Sequence, residues 1–274
     1  MVKEGSFLKE LFHRTKNDDV AGLSAQLSYF FLLSLFPFLI FMITLVGYLP
    51  ISQEDVLDTI RGFAPSGTLE MIEDTLEQIL NKRNGGLLSF GIIATIWSAS
   101  NGINAIVKAF NKAYDVEETR SFLVARGMAI VLTIAMVFVI LVALLLPVFG
   151  REIGLFIFSN FGFSEEFLTI WNTLRWVLSG IILFVVFSAL YFAAPNKRLH
   201  IKDGLPGAFA ATIGWIVVSL AFSYYVGNFA NYSATYGSIG GIIVLMIWFY
   251  LSGMITIIGG ELNAILYQRK HAAK

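Results

Sequence analysis

Apolar residues run through this chain in unbroken blocks, not in the single three-and-four-spaced stripe of a soluble surface helix. Six blocks, at 26–49, 87–107, 127–149, 171–194, 206–227 and 238–266, each hold enough residues to cross a bilayer, since about 20 helical residues span the hydrocarbon. The stretch 204–260 contains no Asp, Glu, Lys, Arg or His. It is long enough to cross twice, turning in the polar, uncharged "GNFANYSATYGS". The pattern predicts an all-α polytopic membrane protein: a six-helix transmembrane bundle forming one domain over 1–274.

Between the blocks the spacing changes. "GSFLKELFHRTKNDDVAGLS" (5–24) places Phe7, Leu8, Leu11 and Phe12 on one helical face with Lys9 and Lys16 turned away. That pattern predicts an N-terminal helix lying along the membrane surface. Segment 50–86 is acidic and amphipathic. Its "APSGTLEMIEDTLEQILNKR" carries a stripe of Leu69, Ile72, Leu76, Ile79 and Leu80, with Ser66 as N-cap. A pair of extracytoplasmic helices, 54–62 and 67–82, is expected there. Pro37 falls inside the first block; it removes a backbone hydrogen bond near Leu33 and predicts a kink facing protein. Gly207/Ala211 and Ala210/Gly214 are small pairs four apart, and Gly253 and Gly260 stand one heptad apart; each predicts close helix packing.

Composition agrees with the pattern. Of 274 residues, 57% are hydrophobic and only 14% charged, against about 25% charged in soluble domains. The net charge of zero conceals an asymmetry. Basic residues collect in 1–25, 108–126, 195–205 and the tail, whereas the opposite loops hold Arg61, Lys82, Arg83 and Arg151. The positive-inside bias places both termini in the cytoplasm. The same split among short loops at helix ends argues against nucleic-acid binding. The first apolar run is too long for a cleavable signal and no A-x-A site follows, so a retained first helix is expected.

Candidate chemistry is sparse. There is no cysteine, and the three histidines are scattered. No H-E-x-x-H, P-loop or G-x-S-x-G signature occurs, so no enzyme activity and no cofactor or metal are expected. Trp97, Asn101, Asn104, Lys108 and Asn111 recur at spacings that put them on one face of the second block. Amides facing lipid are unfavourable, so the face is read either as a hydrophilic path or as interhelical hydrogen bonding. Gln26, Ser28, Arg126 and Asn263 fall toward the same inner half. Glu261, in "ITIIGGELNAILYQRK", ends the charge-free run and is read as a structural ion pair at the inner rim, with Lys108 as first partner and Arg126 as second, as a proton- or substrate-handling group, or as an unpaired acid snorkelling to the interface. Arg175 sits near the outer end of the fourth block, snorkelling or meeting a lipid phosphate or anionic substrate.

Four stretches resemble the YihY/BrkB family of membrane proteins, long labelled "ribonuclease BN". They are "LSYFFLLSLFPFL" (27–39), "WSASNGINAIVKAFNKAYDVEETR" (97–120), "LYFAAPNKRL" (190–199) and "YSATYGSIGGIIVLMIWFYLSGMITIIGGELNA" (232–264). The resemblance implies a bacterial cytoplasmic-membrane protein with six spans. The ribonuclease label does not fit, because that enzyme class needs a His/Asp metal cluster that this chain lacks. The expected function is a permease or an exporter of solute or lipid with a polar cavity on the inner side. The alternative is a non-transporting organiser that docks a partner through its acidic outer helices. Expected partners are membrane lipids and a small-molecule or lipid substrate, and a homo-oligomer is left open.

Overall fold

A computed structural model of the protein describes residues 6–46, 85–136, 165–228 and 239–272. The described residues form helices and no strand: α1 (Phe7–Asn17), α2 (Val20–Val46), α3 (Gly85–Ala113), α4 (Phe122–Met136), α5 (Glu165–Ala193), α6 (Ile201–Asn228) and α7 (Gly240–Ala272). In hydrocarbon a backbone must satisfy its own hydrogen bonds, which is why apolar blocks of this length become helices. Among the described residues five helices, α2, α3, α5, α6 and α7, are long and apolar enough to cross a membrane. The block expected at 127–149 begins in α4 and continues outside the described residues, as does the expected outer helix pair at 50–86.

Several helices outrun the apolar blocks that announced them. α3 continues to Ala113, α6 starts at Ile201, and α7 runs to Ala272. At 1.5 Å per residue the 33 residues of α7 extend about 50 Å, well beyond the roughly 30 Å of hydrocarbon. Its last turns are therefore polar and protrude. Glu261 falls about 30 Å from the start of α7, at the far edge of the apolar layer.

The chain divides into two compact units. In the unit 31–99, α2 and α3 approach closely at Gly91, where an added Cβ would stand 2.9 Å from the Phe41 backbone nitrogen. Pro37 lies inside a continuous α2 and is half-buried, next to the exposed Phe36.

In the other unit, α6 packs against both α5 and α7, and α1 lies along α7. Glycine makes the α6–α7 contact. A Cβ at Gly207 would fall 2.1 Å from the Gly259 carbonyl oxygen, and a Cβ at Gly259 would fall 2.2 Å from the Tyr191 hydroxyl. Fully buried Tyr191 in turn donates to the Thr256 carbonyl at 2.8 Å and lies against Phe187 and Phe110. Further along, Trp215 donates to Ser252 at 3.1 Å and Trp248 to Ser219 at 3.3 Å, so each helix lends an indole to the other's hydroxyl. Of the small pairs read from the sequence, Gly207/Ala211 is buried, whereas Ala210 is exposed. Gly253 and Gly260 share a face but serve different neighbours, Leu27 of α2 and Phe110 of α3.

Pro206 sits in the second turn of α6 and cannot donate to the backbone. Asn263 repairs this region from the neighbouring helix. Its Oδ1 accepts the Gly207 N–H at 2.7 Å and its Nδ2 donates to the Gly204 carbonyl at 3.0 Å. The side chain is fully buried and both ends are used.

Two glycines on α6 should respond differently to alanine. Gly207→Ala puts a methyl into backbone that has no room to yield, and is expected to lower stability by about 1–3 kcal/mol or to prevent accumulation. Gly214→Ala meets only the Ile255 Cγ2 at 3.3 Å and should shift stability by less than about 0.5 kcal/mol. Thermal denaturation of the detergent-solubilised protein, followed by the monodisperse fraction, separates the two.

Candidate functional site

The site is built where two helix ends and a corner meet. α1 and α2 are joined by Asp18 and Asp19 alone. The Asp18 N–H closes α1 by donating to the Arg14 carbonyl at 2.8 Å. Asp19 takes a left-handed backbone, φ 56°, which a short polar side chain tolerates. Its carboxylate accepts the Gly22 N–H at 3.3 Å and so caps α2. α3 ends in a similar way. Asp115 has φ 51°, and the Val116 and Asp115 N–H groups donate to the Asn111 and Lys112 carbonyls at 2.9 and 3.1 Å. Those two bonds make a Schellman ending.

α7 lays Glu261 against this junction, with Gly260 beside it allowing the Phe110 ring to close in. Glu261 is completely buried, and no amide, hydroxyl or basic group donates to its carboxylate oxygens; its hydrogen-bonding neighbour is the Asp18 carboxyl. The charged groups that act on it are Asp18, of like sign, and then Arg14 and Lys112. Both cations already have acceptors. Arg14 donates to Gln268 and, at 3.3 Å, to the Ala113 carbonyl, and it pairs with Glu10 at 3.4 Å. Lys112 donates to the Asn17 carbonyl at 3.0 Å and lies 3.8 Å from Asp18. Two carboxyls, Glu261 and Asp18, thus meet in a field of mixed sign without a dedicated cation, a costly arrangement for a buried charge.

Tyr114, just past the end of α3, adds another buried polar atom without a hydrogen bond, its hydroxyl. Burial pushes this phenol above its ordinary value, and the charges of Asp203, Tyr267 and Glu261 push the same way. Lys197 stands over the Tyr267 and Tyr114 rings at 4.7 and 5.5 Å.

Beside this junction the α3–α4 connection is closed by a satisfied network. Buried Asn111 accepts the Asn196 N–H at 2.6 Å and donates to Glu118 at 2.9 Å. Arg120 pairs with Glu118 at 3.0 Å and donates to Asn196 and to the Ala194 carbonyl at 3.2 and 2.9 Å. Asn196 donates in return to the Glu117 carbonyl and Thr119, each at 2.8 Å. At the far side Lys270 and His200 flank Asp203 at 3.0 and 3.7 Å, joining the end of α7 to the start of α6.

The residues singled out in the sequence do not converge as expected. The cations acting on Glu261 are Arg14 and Lys112 in place of Lys108 and Arg126. Lys108 is exposed, and Arg126 donates to Asn101 at 2.6 Å. α3 turns Phe110 toward α7, while half-buried Asn101 meets α4; Asn104, on that same helical face, is also half-buried. Helical spacing shows that side chains share a face but not which neighbour the face meets. Ser28 donates to the Met246 carbonyl at 2.7 Å, tying α2 to α7, and Gln26 is half-buried. Asn263 bonds the α6 backbone beside Pro206, as described above. The Arg175 side chain lies outside the described residues. Asp18, Arg14, Lys112 and Tyr114 escaped the sequence reading, although adjacent acids at the mouth of an apolar span, as in "NDDV", are a usable signal.

Buried polar side chains gathered at one end of long apolar helices define a polytopic membrane protein with a charged junction, not a soluble fold. The chain belongs to the virulence factor BrkB family, whose family model matches residues 11–274. It is 63% identical to the ribonuclease-like protein YfkH of Bacillus subtilis, over 97% of this chain and 96% of that one. It is 28% and 29% identical to UPF0761 membrane proteins of Vibrio campbellii and Vibrio parahaemolyticus, covering 97% of this chain and 83% of each. No solved structure matches. Among the described residues no group of three or more His, Cys, Asp or Glu is placed to hold a metal ion.

Two substitutions probe the junction. Glu261→Leu removes a buried carboxylate that faces the like-charged Asp18, and is expected to raise thermal stability in detergent by about 1–3 kcal/mol. A loss of stability would mean that the carboxylate has a partner. Arg120→Ala opens the satisfied network and should cost about 2–3 kcal/mol, whereas Lys108→Ala, at an exposed position, should leave the melting temperature unchanged.

Proposed function

We propose that this protein is a permease or exporter of the bacterial cytoplasmic membrane, with both termini in the cytoplasm and its charged junction at the cytoplasmic side. The observation that carries the reading is Glu261, a fully buried carboxyl that faces the Asp18 carboxyl, with no dedicated cation, near the edge of the apolar layer. Ionisable groups inside membrane helices are expensive, and they mark pathways and coupling sites far more often than scaffolding. Here the cost is not offset by a dedicated ion pair, because Arg14 and Lys112 are bound to other acceptors.

The orientation is supported by where the basic residues gather. Contacts join α1 to the end of α7 through Glu10 and Arg269, and the start of α6 to the same end through Asp203 and Lys270. Lys112, Arg120 and Lys197 lie in the same neighbourhood, so the basic loops counted along the sequence form one charged surface. That is the distribution of a cytoplasmic face. The BrkB and UPF0761 relatives are bacterial membrane proteins, in keeping with this reading. The ribonuclease-like name of the Bacillus subtilis relative is not carried over, since no metal-ligand spacing is present in the sequence.

In mechanism, Glu261 receives a proton or a cationic group of the cargo when the α1–α2 corner moves. Its change of charge then alters the balance among Asp18, Arg14 and Lys112, which belong to three different elements. A rearrangement of the corner is thereby linked to occupancy of the carboxylate.

Purified protein in liposomes tests the proposal. Tail-labelled phospholipids are followed by dithionite quenching, and trapped radiolabelled solutes by efflux. At least one should move faster than in protein-free vesicles, and Glu261→Gln should abolish that movement while the protein stays monodisperse. Rates equal to empty vesicles across both panels, or full activity in Glu261→Gln, would sink the reading.

A further inference from the structure

We infer that the outward face of α1 is a binding surface for anionic phospholipid headgroups, independent of whether the protein transports anything. The position of α1 is forced by covalent geometry. It ends at Asn17, and the membrane-crossing α2 starts at Val20, so two residues separate them. A helix so tethered lies at the level of the membrane surface.

Its two faces are differently employed. One is clamped to the end of α7. Glu10 accepts from Arg269 at 2.7 and 3.2 Å, Arg14 donates to Gln268, and Arg269 lies over the Phe7 ring at 5.4 Å. The clamp uses the only acid of α1, so the free face carries none. That free face holds Leu8 and Phe12, 71% and 75% exposed, with Lys9, His13 and Lys16 following round the helix; together these five side chains line a shallow surface depression. Positions 8 and 12 lie one turn apart, and 9, 13 and 16 form the adjoining stripe. The two aspartates at the corner do not neutralise it: Asp19 caps α2 and Asp18 faces Lys112.

Apolar side chains at this level enter the boundary between headgroups and acyl chains, while lysine stems reach back to the phosphates. A lipid whose headgroup carries net negative charge satisfies the stripe; a zwitterionic one offers no net charge to it. The clamp holds the helix in place beforehand, so little ordering accompanies binding. The same helix supplies Arg14 to the Glu261 junction on its other side.

The test uses the absence of cysteine. A single Ser6→Cys takes a donor fluorophore at the start of α1, and the full chain is reconstituted in vesicles of equal phosphatidylglycerol and phosphatidylcholine. Traces of tail-labelled acceptor of either headgroup are added in parallel. Energy transfer should report enrichment of phosphatidylglycerol near α1 of about five-fold, falling to parity in the Lys9→Gln, Lys16→Gln double variant and in molar salt. Equal transfer to both headgroups in the unaltered protein overturns the inference. So does an enrichment that survives the double substitution.

Discussion

The close approach of α6 and α7 at Gly207 and Gly259 is the contact on which this end of the molecule rests. Hydrocarbon supplies no hydrophobic force to press helices together, so packing and interhelical hydrogen bonds must do so. The glycines bring the two backbones near enough for Asn263 to bond the α6 backbone on either side of Pro206, at Gly204 and Gly207. Tyr191 of α5 closes over the same spot and bonds the Thr256 carbonyl. Three helices are thereby fixed at the depth where Glu261 enters, two residues from Gly259 and adjacent to Gly260.

That fixed background makes the polar junction interpretable. Around it, Asn111, Glu118, Arg120 and Asn196 satisfy one another in a closed set. A satisfied network of this kind holds loops in place and specifies their course. Glu261 is the exception in the same neighbourhood, fully buried with no amide or basic donor and facing the like-charged Asp18 carboxyl. The contrast matters more than either fact alone, since a chain able to satisfy Asn111 at both ends has the means to satisfy a carboxylate.

Legibility in the sequence varied with the kind of information required. The apolar blocks announced α2, α3, α5, α6 and α7, because crossing length depends only on composition. The amphipathic N-terminal helix was legible too, from its spacing. The helices run up to six residues past the apolar blocks, and α3 and α7 do so where their polar turns find protein partners, as Lys112 and Arg269 do. The asparagine face was legible as a face, but its neighbour was not. Asn101 meets Arg126, and Glu261 meets Asp18 from the opposite end of the chain.

The sequence by itself determined the class of protein, the helices, their polar ends and the presence of one acid in a charge-free run. Those properties follow from local transfer energies and periodicity, which each segment carries alone. Tertiary structure alone decided that Arg14 and Lys112, not Lys108 and Arg126, act on that acid, and that Asn263 mends α6. Such pairings join residues from different helices, and they depend on which glycine lets which pair of backbones approach.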